Sequence, residues 1–69
     1  MALVFNPKYD VTIEEPEAGF AVLMIYHRDA AGLRDGVHSA FHLAVAEGNT
    51  ALEIAQGAAP FAFIDEEDL

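Results

Sequence analysis

Three groups of side chains in this 69-residue chain have the type and spacing to do chemistry. His38 and His42 stand four apart, with Asp35 three residues ahead of the first. Wound into a helix, all three share one side, which is ligand geometry for zinc or another divalent ion. His27 and Asp29 offer further donors from the end of a preceding segment. No third ligand is defined, however, and the shared face points away from the predicted core. The histidines are therefore assigned to solvent or to an interface, and no metal or cofactor is expected. At an interface they would make association sensitive to pH between about 6 and 7, where imidazole titrates.

Glu14, Glu15 and Glu17 form the second group. Paired carboxylates do general acid–base work when one of them is held protonated. On a predicted turn, water and mutual spreading relieve their repulsion, so they read as solvated. The third group, His27-Arg28-Asp29, resembles the catalytic-loop tripeptide of the protein kinases. The chain is far too short for that fold and has neither a glycine-rich loop nor a magnesium-binding triplet. The tripeptide reads as a polar strand end, with Asp29 capping the next segment and Arg28 pairing with an acid. There is no cysteine nucleophile, no serine at a nucleophile elbow and no phosphate loop. A chain of this size also leaves little room for a catalytic cleft. No enzyme activity is expected.

The elements that must position these residues follow from pattern. Tyr9 to Glu14 alternates, with Tyr9, Val11 and Ile13 on one face and Asp10, Thr12 and Glu14 on the other, as a half-buried strand does. Asn6-Pro7 marks a turn before it, leaving Leu3 to Phe5 as a short separate strand. Glu15 to Gly19 supplies a five-residue hairpin connection. Phe20 to His27 is apolar on both faces, which predicts a central strand covered twice, once by a helix and once by something else. Asp35 suits an N-cap and Gly48 a left-handed stop, predicting a helix from about Gly36 to Glu47. Its stripe of Leu33, Val37, Ala40, Phe41, Ala44 and Val45 would pack on the sheet, leaving Ser39, His42, Leu43 and Ala46 on the far side. Thr50 and Glu53 fit a capping box with Gly57 as C-cap, but Leu52 and Ile54 also alternate, so residues 50–57 stay open between helix and strand. Phe61 to Ile64 is expected as a last strand after Pro60. The fold class is α+β: a small antiparallel sheet of three to four strands with one main amphipathic helix packed on one face.

Within that predicted helix, Ser39 to Asn49 resembles the first helix of an ankyrin repeat over eleven residues. Asp35-Gly36 stands one residue too far upstream of the pattern, and no second leucine-rich helix follows before Pro60. A single repeat cannot bury its apolar face without stacked neighbours. An ordinary amphipathic helix accounts for the same residues.

Composition bounds the function. The chain reads as one domain, residues 1–69, with an acidic tail at 65–69. With 54% hydrophobic residues it is not a disordered acidic tail. It has no cysteine to staple it, and a domain this small is marginal alone, so a homodimer is expected. The candidate dimer face is Ser39, His42, Leu43 and Ala46. No apolar run is long enough to span a bilayer, no secretory segment is recognised, and the cytoplasm is the default. Twelve acids against three Lys and Arg give a net charge of −9, which excludes direct nucleic-acid binding and favours a protein partner with a basic surface. The candidate contacts are Asp10, Glu14, Glu15 and Glu17, with Asp65, Glu66, Glu67 and Asp68 at the tail. One reading is an inhibitor that mimics nucleic acid and occupies a basic groove, of the physical type of phage anti-CRISPR and anti-restriction proteins. The other is a structural or regulatory homodimer module, antitoxin-like or an accessory subunit, whose acidity serves solubility alone.

Overall fold

A computed structural model describes residues 2–69. The fold is α+β, with two small antiparallel sheets and one α-helix. Strand β1 (Leu3–Phe5) leads through a turn into β2 (Asp10–Glu17), β3 (Phe20–Arg28) and β4 (Arg34–Ala44). Helix α1 (Ala51–Ala58) follows, then a 3-10 turn at Pro60–Ala62, strand β5 (Phe63–Asp65) and a second 3-10 turn at Glu66–Asp68. One sheet has the order β2-β3-β4, and β1 pairs with β5 in the other.

The expected central strand is central. β3 pairs with β2 on one side (Val11 opposite Ile25, Ile13 opposite Leu23) and with β4 on the other (Leu23 opposite Phe41, Ala21 opposite Leu43). Odd-numbered β3 residues face α1 and even-numbered ones face away, as the two-residue period of a strand requires. Ala21, Leu23 and Ile25 are at most 1% exposed. Leu23 and Ile25 pack with Val11, Ala55, Ala59, Ala62 and Phe63. The alanines at 51, 55 and 59 fall one helical turn apart and are buried, so α1 approaches the sheet closely along a strip of methyl groups.

The segment 50–57 resolves to helix. Thr50 is extended, with φ −102° and ψ 154°, and its hydroxyl accepts from the Glu53 amide at 3.1 Å. That is the Ncap bond the capping-box pattern anticipates. Gly57 lies inside the helix, and Ala59 is the C-cap. Eight residues are too few for a helix to be stable by propensity, so burial against the sheet holds it. α1 is thus the main helix of the fold.

The predicted helix over Gly36–Glu47 is instead strand β4, and the ankyrin-like segment is strand and turn. Helical and strand periods both fit this stretch, because Ser39, Phe41, Leu43 and Val45 alternate as regularly as the helical stripe recurs. Two facts outside the segment decide it. A second long strand is needed to satisfy the backbone of β3 on its far edge, since buried peptide groups must be paired. The turn Asp29–Leu33 also folds the chain straight back. The Asp29 carboxylate accepts from the amides of Ala31 and Leu33, both at 2.9 Å, and Gly32 sits at φ +82°. Asp35 therefore caps no helix. Gly48, at φ +90°, turns the chain after β4 instead of stopping a helix.

The first hairpin is tighter than expected. β2 continues through Pro16 to Glu17, and Ala18-Gly19 alone makes the turn, with Gly19 at φ +86°. Glu15 and Pro16 together oppose Ala21, forming a bulge in which proline removes no ladder bond. Among the described residues, no helix is long and apolar enough to cross a membrane.

Candidate functional site: opposite ends of one sheet

Antiparallel order sorts the charges of the three-stranded sheet by end. Asp10, Arg28 and Arg34 come together where β2 starts, β3 ends and β4 begins. Glu14, Glu15 and Glu17 lie at the other end, beside Phe20 and Ala44. Glu47 follows β4 at that end, where the Val45 amide donates to the Gly19 carbonyl at 2.8 Å. From Asp10 to Glu17 is roughly 23 Å at the rise of a strand.

At the cationic end, Arg34 Nε donates to Asp10 Oδ2 at 2.9 Å, and its guanidinium lies over the Tyr26 ring, 3.8 Å from the centroid. The hydrogen bond from Arg34, reinforced by its charge, holds the Asp10 carboxyl below the usual carboxylate range and raises Arg34 in turn. Arg28 Nη1 donates to the Gly32 carbonyl at 2.7 Å, so it braces the second hairpin. Lys8 lies 5.6 Å from the centre of the Tyr9 ring. The sheet thus keeps its permanent cations near one end and occupied.

At the anionic end, Glu14, Glu15 and Glu17 are exposed. Among the described residues none of them has an ion-pair partner. The cations lie more than two Debye lengths from the tip of the hairpin at physiological salt, where that length is about 8 Å, so they do not neutralise it. Asp10, expected to extend this group along the strand, is placed at the opposite end and is already paired. The tail acids belong to the other sheet. Asp65 closes β5 and accepts from the Glu67 amide at 3.1 Å, and the Glu66 amide donates to the Ala2 carbonyl at 3.0 Å. Glu66, Glu67 and Asp68 are exposed on this tied-down turn.

The histidines do not share a face. A bulge lies between the pairs Ile25–Ser39 and Tyr26–Val37, and His38 is the extra residue. It turns toward the helix side and meets Tyr9, Phe61 and His27, with ring centroids 5.1, 5.2 and 4.9 Å away. His42 pairs with Val22 on the opposite face. No group of three or more potential ligands for a metal occurs among the described residues. The dimer-face residues are likewise distributed. Ser39 and Leu43 point toward α1, His42 points outward, and Ala46 lies in the loop beyond β4.

Two features were not anticipated. The Tyr9, His27, His38 and Phe61 cluster depends on a bulge that no local pattern signals. An open apolar groove of about 260 Å³, lined by Leu3, Val4, Phe5, Leu52 and Phe63, forms where the two-stranded sheet meets α1. Comparison with known proteins gave no matching family model, no matching curated protein and no matching solved structure.

Proposed function

We propose that this chain is a small acidic protein-binding module that occupies a basic, nucleic-acid-binding surface of another protein or complex and thereby inhibits it. The observation that carries this reading is the unneutralised hairpin. Three carboxylates project beside a two-residue turn, with the cations of the sheet held at its far end. Such an end attracts basic side chains over several ångströms and repels nucleic acid. The tail acids Asp65 to Asp68 offer a second contact on the same terms. The mode we read for it is binding; the groove at Leu3, Val4, Phe5, Leu52 and Phe63 is lined by apolar side chains.

Capture from host lysate at low and high salt tests the proposal. A nucleic-acid-binding protein should be retained at low salt and released as salt rises, because the attraction is Coulombic. Replacing Glu14, Glu15 and Glu17 together by Lys moves the net charge from −9 to −3 (three reversals of two units each) and should abolish retention. Retention unchanged by that replacement would reject the inhibitor reading. A second reading, a homodimer module whose acidity serves solubility, is favoured by the uncovered face of the sheet. There Phe20 and Val37 are more than half exposed, beside Val22, Met24 and Tyr26.

A further inference from the structure

The groove where the two-stranded sheet meets α1 gathers apolar side chains that the core leaves out. Leu3, Phe5 and Leu52 are each between 44% and 49% exposed, and they converge with Val4 and Phe63 on one open space of about 260 Å³. Single exposed apolar side chains are ordinary on a protein surface, but a converging set of them marks a contact site. The walls are firm. Phe5 pairs with Phe63 in register, with ring centroids 5.6 Å apart, and the capped first turn of α1 carries Leu52. The rim is acidic. Asp65 stands opposite Leu3 in the ladder, and residues directly opposite in an antiparallel pair share a face. The Glu66 amide donates to the Ala2 carbonyl, which fixes the turn of Glu66, Glu67 and Asp68 beside the start of β1. Glu53 adjoins Leu52 in α1. Among the described residues none of these carboxylates has an ion-pair partner. The cations are engaged elsewhere, Arg34 at Asp10, Arg28 at the Gly32 carbonyl and Lys8 at the Tyr9 ring.

We propose that this groove binds a basic peptide segment of a partner protein, seating one or two large apolar side chains while Lys or Arg on either side meets the rim carboxylates. Shape and charge together select this occupant. A site for a free small molecule encloses most of its ligand in roughly 300–1,000 Å³. This groove is smaller and open, the form of a seat for the anchor side chains of a larger partner. A fatty acid or anionic lipid would set its own negative head among the carboxylates, and a second copy would bring another net charge of −9. A cationic flank is instead drawn to the rim, and the apolar anchor adds a hold that charge alone lacks. The contact falls well below the roughly 1,200 Å² of a stable interface, so a short peptide should bind with a Kd of about 0.1 mM. Binding here rests on the reading of the chain as a protein-binding module, whose second contact it defines, and does not involve the acidic hairpin.

The probes are short synthetic peptides carrying a Leu-Phe pair flanked on both sides by Lys. Two controls accompany them, the same pair flanked by Glu and a Ser-Ser pair flanked by Lys. Titrated into the isotope-labelled chain, the Lys-flanked Leu-Phe peptide should shift the amides of Leu3–Phe5, Leu52 and Phe63–Asp65, and neither control should do so at the same concentration. Leu52→Gln removes an anchor contact at an exposed helix position and should weaken binding about tenfold, with circular dichroism showing the chain still folded. Glu66→Gln, Glu67→Gln and Asp68→Asn together, all on the exposed turn, should weaken it several-fold and flatten its salt dependence while the same amides respond. No shift at these amides up to about millimolar peptide would overturn the proposal. Equal binding of the Glu-flanked peptide would overturn it in favour of a groove for apolar ligands. Equal binding of the Ser-Ser peptide would reduce it to charge attraction without a seat. Lysate retention lost on replacing the hairpin, with no peptide bound at the groove, would reject this site alone. Peptide bound at the groove, with retention unchanged by that replacement, would reject the hairpin reading alone.

Discussion

β2 and β4 flank the same central strand, and each donates one row of apolar side chains to the same core. Both carry a bulge, but their compositions differ. β2, with eight residues, is proline-bearing and acidic, and its local pattern alternates without ambiguity. β4 is long and, past its bulge, free of acids and permanent cations, with a pattern that fits two secondary structures equally. An edge that must stay unpaired is written in its own residues, as charge and proline. Past its bulge β4 carries no such mark, and its strand state depends on what lies beside it.

The comparison breaks most completely at β3, on which both edges depend. Leu23 is fully buried between Ile13 and Phe41 in register. Leu23→Ala should cost about 2–5 kcal/mol, enough to unfold a domain of this size or lower its Tm by more than about 10 °C. Thermal melts by circular dichroism should show the sheet lost in a single transition. Loss of one edge before the other would mean that the two are not held by a common core.

The turns give the next effect. Gly19 closes the β2 hairpin at φ +86°, and Gly32 closes the β4 hairpin at φ +82°, both in the left-handed region. Each Gly→Ala change should cost about 1–2 kcal/mol through backbone strain, since no neighbouring atom lies within reach of the added Cβ. If β4 owes its strand state to the fold-back at Asp29–Leu33, Gly32→Ala should also raise amide exchange along Ser39–Ala44, whereas Gly19→Ala should spare it. Equal effects would remove the hairpin from the explanation of β4. At α1, Thr50→Ala should cost about 1 kcal/mol by freeing the Glu53 amide, measured by denaturant titration.

The smallest effect belongs to the ion pair that ties β2 to β4 across the end of the sheet. Folding lowers the Asp10 carboxyl, first through its hydrogen bond from Arg34. The stability this contributes is present above the unfolded-state value of about 3.9 and is lost as pH falls through the lower folded value. Arg34→Met should therefore flatten the acid limb of the stability curve below about pH 4 and change little at pH 7. An unchanged acid limb would show that the pair adds nothing to stability. Both side chains meet solvent, which keeps the effect slight.

Much of this fold is legible from short stretches. Alternation of Tyr9 to Glu14 marks β2, and two apolar faces mark Phe20 to His27 as central. Thr50 with Glu53 carries the start of α1, and Asn6-Pro7 separates β1. Asp29, expected to cap the segment that follows, instead accepts from the amides of Ala31 and Leu33 in the turn that folds the chain back. Of the candidate contacts, Glu14, Glu15 and Glu17 fall together because they are neighbours in sequence. Asp10 does not join them, because antiparallel pairing carries the start of β2 to the far end and gives it Arg34, 24 residues away.

By itself, then, the sequence determined the alternating strands and the acidic hairpin, because each is set by residues within a few positions of one another, while it left residues 50–57 open between helix and strand. Tertiary structure alone decided that Arg34–Ala44 is a strand and that His38 and His42 face opposite ways. It also decided that the cations gather at one end of the sheet. These outcomes turn on hydrogen bonds and packing between segments distant along the chain. A stretch whose residues satisfy both periods takes the one that pairs the exposed backbone of its neighbour.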